Sequence, residues 1–581
     1  HVSYNTSVQA NSGFLTKPPT QSEYGVGDNY VYAFGNQPLD QDGKQRRAAI
    51  WGPKLEGQLV PQWDSPLNEN GIRQGTPFVS KGADNLKNFV QTGWLTVNNV
   101  NIGTSNDKSD FRVSLTNQRQ VGIWPNTSIN FNNLQLNGGH ALTEKLKVRS
   151  MLNVNMQNSE NIPDANYGPN SYAYDFGVYQ GAWFDVRDLK DYWLIDGVQQ
   201  LNREYGRTNN PWFIANEWLR SHRKNDMYGY VSLSYDINKY SQVLLRTQAT
   251  FWDAMRTEKR PVSAEIYDRP NRAGDYMEDR RSLFESNTDV LYTYNREVKD
   301  FHIGGLIGGT VRDFNYNSSW ATTNDLVVPG VYNFTNSRNP VFTYDYRSRM
   351  LVLSGYSSID LGYKNYVKVN ATGHWDKLST LPVGEQNYFY PSVSVSSILT
   401  NYLRNEIPKF ISFAKVRGSY AQVQGGLTQN NIGPAYMALG VPHPLGPSIG
   451  GPWFTSYDGP SYQNQNLYSI SPSYNNLPGA NFTNNIANPN LKPFNVTAYE
   501  TGIDMMFLKN RLGFDFTYFL TYNGPQIYVR DLSPSTGYYQ TNINDVVTKK
   551  DGFEVALKGT PILKKDFRWD VLANYSSFIE K

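Results

Sequence analysis

Histidines and carboxylates are the first residues to consider, because these side chains carry most metal binding and acid–base chemistry in proteins. The histidines share no metal-ligand spacing, with neither an HxH nor an HExxH pattern; they are His1, His140, His222, His302, His374 and His443. The chain has no Cys, so thiolate metal sites and thiol nucleophiles are excluded. We therefore expect no metal site, no cofactor and no catalytic residues, and we interpret the histidines as scattered polar side chains.

A glycine run and a group of aspartates could each be interpreted as a binding motif. Residues 304–309, GGLIGG, lack the Lys-Ser/Thr pair and the following helix of a phosphate loop, so we predict glycines packed closely within a strand. The aspartates lack the fixed spacing of a calcium loop and the second motif of a glycosidase. They are Asp175, Asp185, Asp188, Asp191 and Asp196, and we interpret them as solvated loop charge.

Aromatic residues in two long polar segments are the stronger candidates for ligand contact. The segments cover about residues 158–220 and 424–488 and place Tyr and Trp among Pro, Gly and Asn. Exposed rings stack on sugar faces or line peptide clefts, so we predict that some of them contact a substrate or a partner protein. The predicted contact residues are Trp183, Tyr192, Trp193, Trp453, Tyr457 and Tyr462. The alternative is that these rings only pack loop against loop.

The elements that carry these segments are predicted to be β-strands with a two-residue period. Residues 231–237 and 243–251 alternate apolar and polar side chains around an Asn-Lys turn, which predicts a hairpin. A second hairpin is predicted from residues 290–294 and 301–311. Many such strands have roughly 9 to 11 residues, the length that crosses a bilayer at a steep tilt. Tight turns alternate with very long connections, as in an outer-membrane barrel with long external loops.

Further aromatic residues lie near the predicted strand ends. Rings at these positions form girdles at the two membrane interfaces of β-barrels. We therefore predict an anchoring role, and no ligand contact, for Trp94, Tyr228, Tyr230, Tyr292, Tyr294, Trp569 and Tyr575.

Composition narrows the class of protein but leaves several β folds open. The net charge is only +3, from 54 basic and 51 acidic residues, which argues against nucleic acid as a partner. Aromatic residues make up 14% of the chain, which excludes an intrinsically disordered protein of the kind that has few aromatic residues and a high charge. The sequence has no run of about 18 apolar residues, so it predicts no transmembrane helix. A barrel in which lipid-facing and lumen-facing residues alternate is compatible with the mean hydropathy of −0.57. The rival interpretations are a secreted all-β adhesin or carbohydrate-binding protein, and a glycan-degrading enzyme on a β scaffold.

A series of short motifs runs along the chain in a fixed order. It begins with WGPKLEG at 51–57 and DNLKNFVQTG at 84–93, and it continues with KVRGSY at 415–420 and NPNLKP at 488–493. This ordered series resembles the barrel of SusC-like (SusC/RagA) TonB-dependent transporters of Bacteroidetes outer membranes. It departs from the family at His374-Trp375-Asp376, where a basic residue often precedes the Asp, and at Asn495, where the family often has an acidic residue. The similarity spans nearly the whole chain.

The resemblance implies an all-β fold, a transmembrane antiparallel β-barrel that has 22 strands in the family and of which residues 1–581 cover most. It implies TonB-energised import of a large nutrient, an oligosaccharide or a peptide, across the outer membrane of a Gram-negative, Bacteroidetes-type cell, without catalysis. The implied partners are outer-membrane lipid, a SusD-like lipoprotein lid that the loop aromatics would contact, the TonB complex and a second transporter–lid pair. We expect the plug that engages TonB to lie upstream of His1 and the last strands to lie beyond Lys581.

Overall fold

One large antiparallel sheet of 17 strands dominates the structure, a computed structural model that describes residues 1–12, 21–33, 51–163, 168–179, 181–203, 208–266, 273–432, 455–472 and 478–581. We number the strands of this sheet β1–β17 in chain order. They are β1 Val2–Asn11, β2 Gly93–Ser105, β3 Ser109–Val121, β4 Ser128–Ala141, β5 Leu146–Asn161, β6 Leu219–Asn238, β7 Ser241–Arg260, β8 Asp275–Val298, β9 Phe301–Leu326, β10 Ser337–Tyr363, β11 Val367–Leu378, β12 Asn387–Ile398, β13 Ile411–Gly425, β14 Phe494–Phe507, β15 Leu512–Asn523, β16 Thr548–Leu563 and β17 Arg568–Glu580.

Each strand pairs antiparallel with the strand before it in the chain, so the sheet runs from β1 to β17 without a crossover. Both predicted hairpins are confirmed: Val231 pairs with Thr247 in β6 and β7, and Val298 pairs with Phe301 in β8 and β9. The predicted strand lengths are too short for the middle of the sheet. Strands β6 to β10 have 20 to 27 residues, because these hairpins continue well beyond the length that a bilayer requires.

The connections differ at the two ends of the sheet, as the sequence predicts. At the short-turn end the connecting residues are 106–108, 142–145, 239–240, 299–300, 364–366, 399–410, 508–511 and 564–567. At the long-loop end they are 12–92, 122–127, 162–218, 261–274, 327–336, 379–386, 426–493 and 524–547. Lys364 and Asn365 have φ values of 48° and 57°, the left-handed conformation that a tight hairpin turn requires. Short turns and long loops on opposite ends are typical of outer-membrane barrels.

The two faces of the sheet have different chemistry. One face exposes apolar side chains near the short-turn end, such as Leu245, Val290 and Ile307. The other face carries Phe314 and Met350, and residues of the long-loop end pack against it, including Leu381, Leu427 and Leu491. Because loops fold onto this second face, we identify it as the inner face and the exposed apolar face as the outer one.

Two of the predicted girdle residues lie on the wrong face for that role. Outward-facing residues of β6 have odd numbers, as Met227 and Val231 show, whereas Tyr228 and Tyr230 have even numbers and lie on the inner face. The prediction of an interfacial anchor is therefore wrong for these two tyrosines. Tyr292 lies on the outer face with Val290, in agreement with the prediction.

Short elements fill the long-loop end. Two helices lie here, α1 Asn85–Phe89 and α2 Pro211–Glu217. They are accompanied by a helical turn at Tyr172–Tyr174, a π-helical turn at Asp175–Tyr179 and 3-10 turns at Val186–Leu189, Phe334–Asn336, Val383–Glu385 and Pro534–Thr536. One further 3-10 turn, Leu399–Asn401, lies at the short-turn end. Paired short strands are Gly27–Asp28 with Val31–Tyr32, Glu56–Pro61 with Gly75–Val79, Trp193–Ile195 with Gln199–Gln200, Thr428–Ile432 with Thr455–Pro460, Tyr468–Pro472 with Pro478–Phe482, and Gln540–Asp545 with Gln526–Asp531 and Asn485–Ile486. In the part of the chain that the structure describes, no helix is long and apolar enough to cross a membrane.

The glycine run lies inside strand β9, as predicted. A Cβ atom at Gly308 would lie 2.8 Å from the Tyr356 ring of the neighbouring strand, and one at Gly305 would lie 2.8 Å from the Ser358 carbonyl oxygen. The glycines therefore allow close packing across β9 and β10.

Candidate functional site

The long loops at one end of the sheet pack into a compact globule with an aromatic centre. Phe89, at the end of α1, is buried, and its ring centroid lies 4.8 Å from Trp212, 5.0 Å from Phe176, 5.6 Å from Tyr172 and 6.1 Å from Trp124. These rings come from three separate connections, 12–92, 122–127 and 162–218. We call this packed region the loop globule. Its core shows that the described residues of these three connections pack together as one folded unit.

Polar side chains fix the connections of the loop globule to one another. The Asn85 amide donates to the Phe184 carbonyl oxygen at 3.0 Å, and its oxygen accepts from the Val186 amide at 2.8 Å. The Asn210 side chain caps α2 by accepting from the Trp212 amide at 2.9 Å, and Pro211 begins that helix. The two Asn85 contacts join residues 99 and 101 positions apart in sequence, so they fix separate connections to one another.

A buried ion pair lies within the globule. The Arg203 guanidinium contacts the Asp175 carboxylate at 2.8 Å, and its plane lies over the Phe184 ring at 4.4 Å from the centroid. Asp175 is only 1% exposed, so the interpretation of this residue as solvated loop charge is wrong. Arg203 explains the difference, because a buried carboxylate needs a paired cation.

Two of the other aspartates, Asp185 and Asp188, lie close together but have pKa values shifted in opposite directions. Asp185 accepts a hydrogen bond from the Arg187 amide at the start of a 3-10 turn and pairs with the Arg187 guanidinium at 2.6 Å. The hydrogen bond from the Arg187 side chain lowers the pKa of Asp185, against the effect of burial. Burial and the nearby Asp185 carboxylate raise the pKa of Asp188. Among the described residues no group of three or more His, Asp and Glu is placed to hold a metal ion.

Three of the six predicted contact residues belong to the loop globule. Trp183 is 2% exposed and lies in the core beside Phe184. Tyr192 and Trp193 are half-buried at the base of the hairpin formed by Trp193–Ile195 and Gln199–Gln200. The Trp193 ring meets Phe213 edge-to-face at 5.2 Å. All three rings therefore pack inside the loop globule. Trp183 is buried, and only Tyr192 and Trp193 are partly exposed at its surface.

Tyr192 carries a polar group at this surface. Its hydroxyl donates to a Glu217 carboxylate oxygen at 2.9 Å. Burial, together with this hydrogen bond and the carboxylate charge, raises the pKa of Tyr192 to about 12. The hydroxyl therefore stays protonated at neutral pH.

The other three predicted residues come from connection 426–493. Trp453 lies outside the described residues, and Tyr457 lies in the short strand Thr455–Pro460. The Tyr462 hydroxyl accepts from the Arg349 amide at 2.8 Å and donates to the Arg349 carbonyl oxygen at 2.9 Å. Tyr462 thus joins this loop to strand β10. Contact of the six residues with a substrate or a lid stays a prediction.

Two groups of residues escaped the sequence analysis, one at the long-loop end and one within the strands. The first is a set of exposed apolar side chains at loop tips: Leu194, Ile195 and Val198 in the hairpin after Trp193, and Val327, Val328 and Val331 beyond β9. The second is a charged ladder on the inner face, where Arg246 contacts Asp289 at 2.7 Å and Arg312 contacts Glu285 at 2.8 Å. Apolar residues flanking a turn glycine were the available signal for the tips, and alternating charges within strands were the signal for the ladder.

Comparisons with known proteins agree with this architecture. The family described as TonB dependent receptor-like, beta-barrel matches residues 155–580. No curated protein sequence matches the chain. The fold is similar to the RagAB peptide importer in the closed-closed state, with a TM-score of 0.72 and 13% identity over 100% of this chain and 60% of that one. It is also similar to the RagAB peptide transporter, with a TM-score of 0.68 and 13% identity over 87% of this chain and 53% of that one.

The chain thus spans about half to three fifths of the length of the RagAB structures that it matches. The family match confirms the TonB-dependent receptor barrel recognised in the sequence, and this chain shares its fold with RagAB. The all-β antiparallel fold is likewise confirmed, and the family and these solved structures are receptors and transporters, not enzymes. This chain belongs to the TonB-dependent receptor-like β-barrel family.

Proposed function

We propose that this chain forms the barrel of an outer-membrane active importer for a large nutrient, an oligosaccharide or a peptide. The observation that carries the proposal is the asymmetry of the sheet, with tight turns at one end and a folded loop globule at the other. A loop surface with a defined shape suits capture of a ligand outside the cell, and a polar inner face suits passage of a hydrated one. RagAB, which has a similar fold, is a peptide transporter, and this favours a peptide here.

The proposal also includes an energy source and a plug domain. We infer that a plug domain precedes residue 1, fills the lumen and engages TonB, and that residues 1–581 form a partial barrel. A closed barrel of 17 or more strands without a plug would be an open aqueous pore. Displacement of the plug by TonB would then open the path, so the chain's own residues bind and guide the nutrient and break no bond in it.

A SusD-like surface lipoprotein is the proposed lid over the long-loop end, and two transporter–lid pairs would associate in the membrane. Support comes from the apolar hairpin tip, where Leu194 is 55% exposed, Ile195 53% and Val198 57%. Three apolar side chains held outward on a short hairpin are costly in water and favourable in a protein interface. Tyr192 and Trp193 lie at the base of the same hairpin, so these two rings and the tip would contact the lid or a ligand held beneath it.

Purification of the complex from native membranes tests this proposal. We expect the full-length protein to co-purify in detergent with one surface lipoprotein, and the triple variant Leu194→Ser, Ile195→Ser and Val198→Ser to lose about tenfold of that partner. The matched control is Leu142→Ser with Leu508→Ser, which removes exposed apolar side chains at the short-turn end and should keep the partner. A wild-type protein that purifies without any lipoprotein would refute the lid, and a soluble protein that needs no detergent would favour the secreted adhesin.

A further inference from the structure

Every turn at the short-turn end carries a basic side chain. These eight connections contain Lys108, Lys145, Lys239, Lys299, Lys364, Arg404, Lys409, Lys509, Arg511, Lys564 and Lys565. They contain five acidic residues, Asp107, Glu144, Asp300, Glu406 and Asp566. The short-turn end therefore has six more positive than negative charges, although the whole chain has an excess of only three.

The long-loop end has the opposite charge. The described residues of its eight connections contain 9 Lys and Arg and 17 Asp and Glu, an excess of eight negative charges. If surface lysines served only solubility, no separation by end would be expected. The separation indicates instead that the two ends face partners of different charge.

Aromatic rings hold several of these cations at the rim of the sheet. The Lys239 ammonium lies 4.9 Å from the Tyr240 ring centroid, and the Arg296 guanidinium lies 4.7 Å from the same centroid. Lys364 lies 5.5 Å from the Tyr363 ring. Aromatic residues at barrel rims mark the depth of the lipid headgroups, so these cations lie at headgroup level.

Several of the lysines are available for an external anion. Lys364 pairs with Asp300 at 3.1 Å. By contrast, Lys239, Lys299 and Lys509 are exposed and have no carboxylate within ion-pair distance in the part of the chain that the structure describes. Three ammonium groups without a carboxylate partner, on three different turns, suit several small anions along the rim of the sheet better than one compact anion.

We propose that the short-turn end binds anionic phospholipid headgroups of the leaflet that it faces, and so fixes the depth of the barrel in the membrane. The charge excess supplies the attraction, the rim rings supply the depth, and the outer apolar face above them supplies contact with the acyl chains. This inference requires that the barrel spans the membrane, and it is independent of what the barrel imports.

Lipid retention by the full-length protein tests the inference. The protein is reconstituted into vesicles of equal phosphatidylglycerol and phosphatidylcholine, extracted in mild detergent, and its bound lipids are counted by mass spectrometry. We expect about fivefold retention of phosphatidylglycerol over phosphatidylcholine, falling below about twofold in the triple variant Lys239→Gln, Lys299→Gln and Lys509→Gln. Adding salt to about 0.5 M should also lower the wild-type ratio.

The control variant removes three cations at the other end, as Lys54→Gln, Lys87→Gln and Lys492→Gln, and should keep the fivefold ratio. Gel mobility before boiling verifies that each barrel is folded, and Lys239→Gln alone, with an intermediate ratio, replaces the triple variant if that variant misfolds. Equal ratios in wild type and the short-turn variant would overturn the inference. Tight binding of polyglutamate without any lipid preference would also overturn it and would indicate an acidic protein partner.

Discussion

Replacement of Phe89 by alanine tests whether the loop globule is a folded unit held by its aromatic centre. Phe89 is 1% exposed and contacts four rings from two other connections. Removal of the ring takes away roughly 2 to 3 kcal/mol of apolar burial and leaves a cavity among rings that are fixed by their own packing. We therefore expect Phe89→Ala to lower the free energy of unfolding of the globule by about 4 kcal/mol.

Urea unfolding followed by tryptophan fluorescence measures this loss, because Trp124 and Trp212 lie against the Phe89 ring. A change of about 4 kcal/mol raises the unfolded fraction of the globule by about three orders of magnitude. The barrel should stay folded, since strand pairing does not involve Phe89, and its mobility on gels before boiling should be unchanged.

The matched control is Phe567→Ala, which removes an exposed phenylalanine from a short turn. A surface substitution of this kind should change the unfolding free energy by less than about 0.5 kcal/mol. A loss below about 1 kcal/mol for Phe89→Ala would refute the reasoning, because it would mean that the long loops do not form one packed unit.

Three further predictions follow from particular contacts. Arg203→Met should destabilise the globule by about 3 to 5 kcal/mol in the same urea assay, and the double variant with Asp175→Leu should recover most of that loss, since it leaves no unpaired buried charge. Gly308→Ala should destabilise the barrel by about 1 to 3 kcal/mol and lower its unfolding temperature on gels. Adding Tyr356→Ala should restore only part of that loss, because the Val290 carbonyl oxygen would still lie 2.9 Å from the new Cβ. Because the folded pKa of Asp185 is lowered, its ion pair stabilises the globule above the ordinary carboxyl pKa of about 4 and is lost as the pH falls through the folded value; Asp185→Asn should flatten that acid-side loss in urea titrations.

The sequence predicts the strands well because their side-chain period is a local property. Alternation at 231–237 and 243–251 identifies a hairpin that the register of β6 and β7 confirms. The sequence predicts poorly how far a strand continues outside the bilayer. Strands β9 and β10 pair from Phe301 and Tyr363 to Leu326 and Ser337, and the length of this pairing depends on both strands together. The wrong face for Tyr228 has a similar cause, since ring composition at a strand end does not specify which side of the strand a residue occupies.

The candidate site depends on contacts that no local pattern reveals. Trp183 and Trp193 occur in the same aromatic segment, yet the first is in the core beside Phe184 and the second reaches the surface. The sequence around Asp175 indicates a solvated loop charge, because its partner Arg203 lies 28 residues later and the contact between them forms only in the folded chain. In each case the packing of distant connections decides the role, and composition alone leaves the alternatives equal.

Uptake by living cells tests the central claim most directly. Cells of the native host with and without this protein would be given a radiolabelled oligopeptide pool or a radiolabelled oligosaccharide pool, before and after a protonophore collapses the inner-membrane potential. Import of one pool that requires both the protein and the energised inner membrane is the predicted result. Uptake of both pools that is unchanged by loss of the protein, or that persists after the protonophore, would contradict the account of a TonB-energised importer.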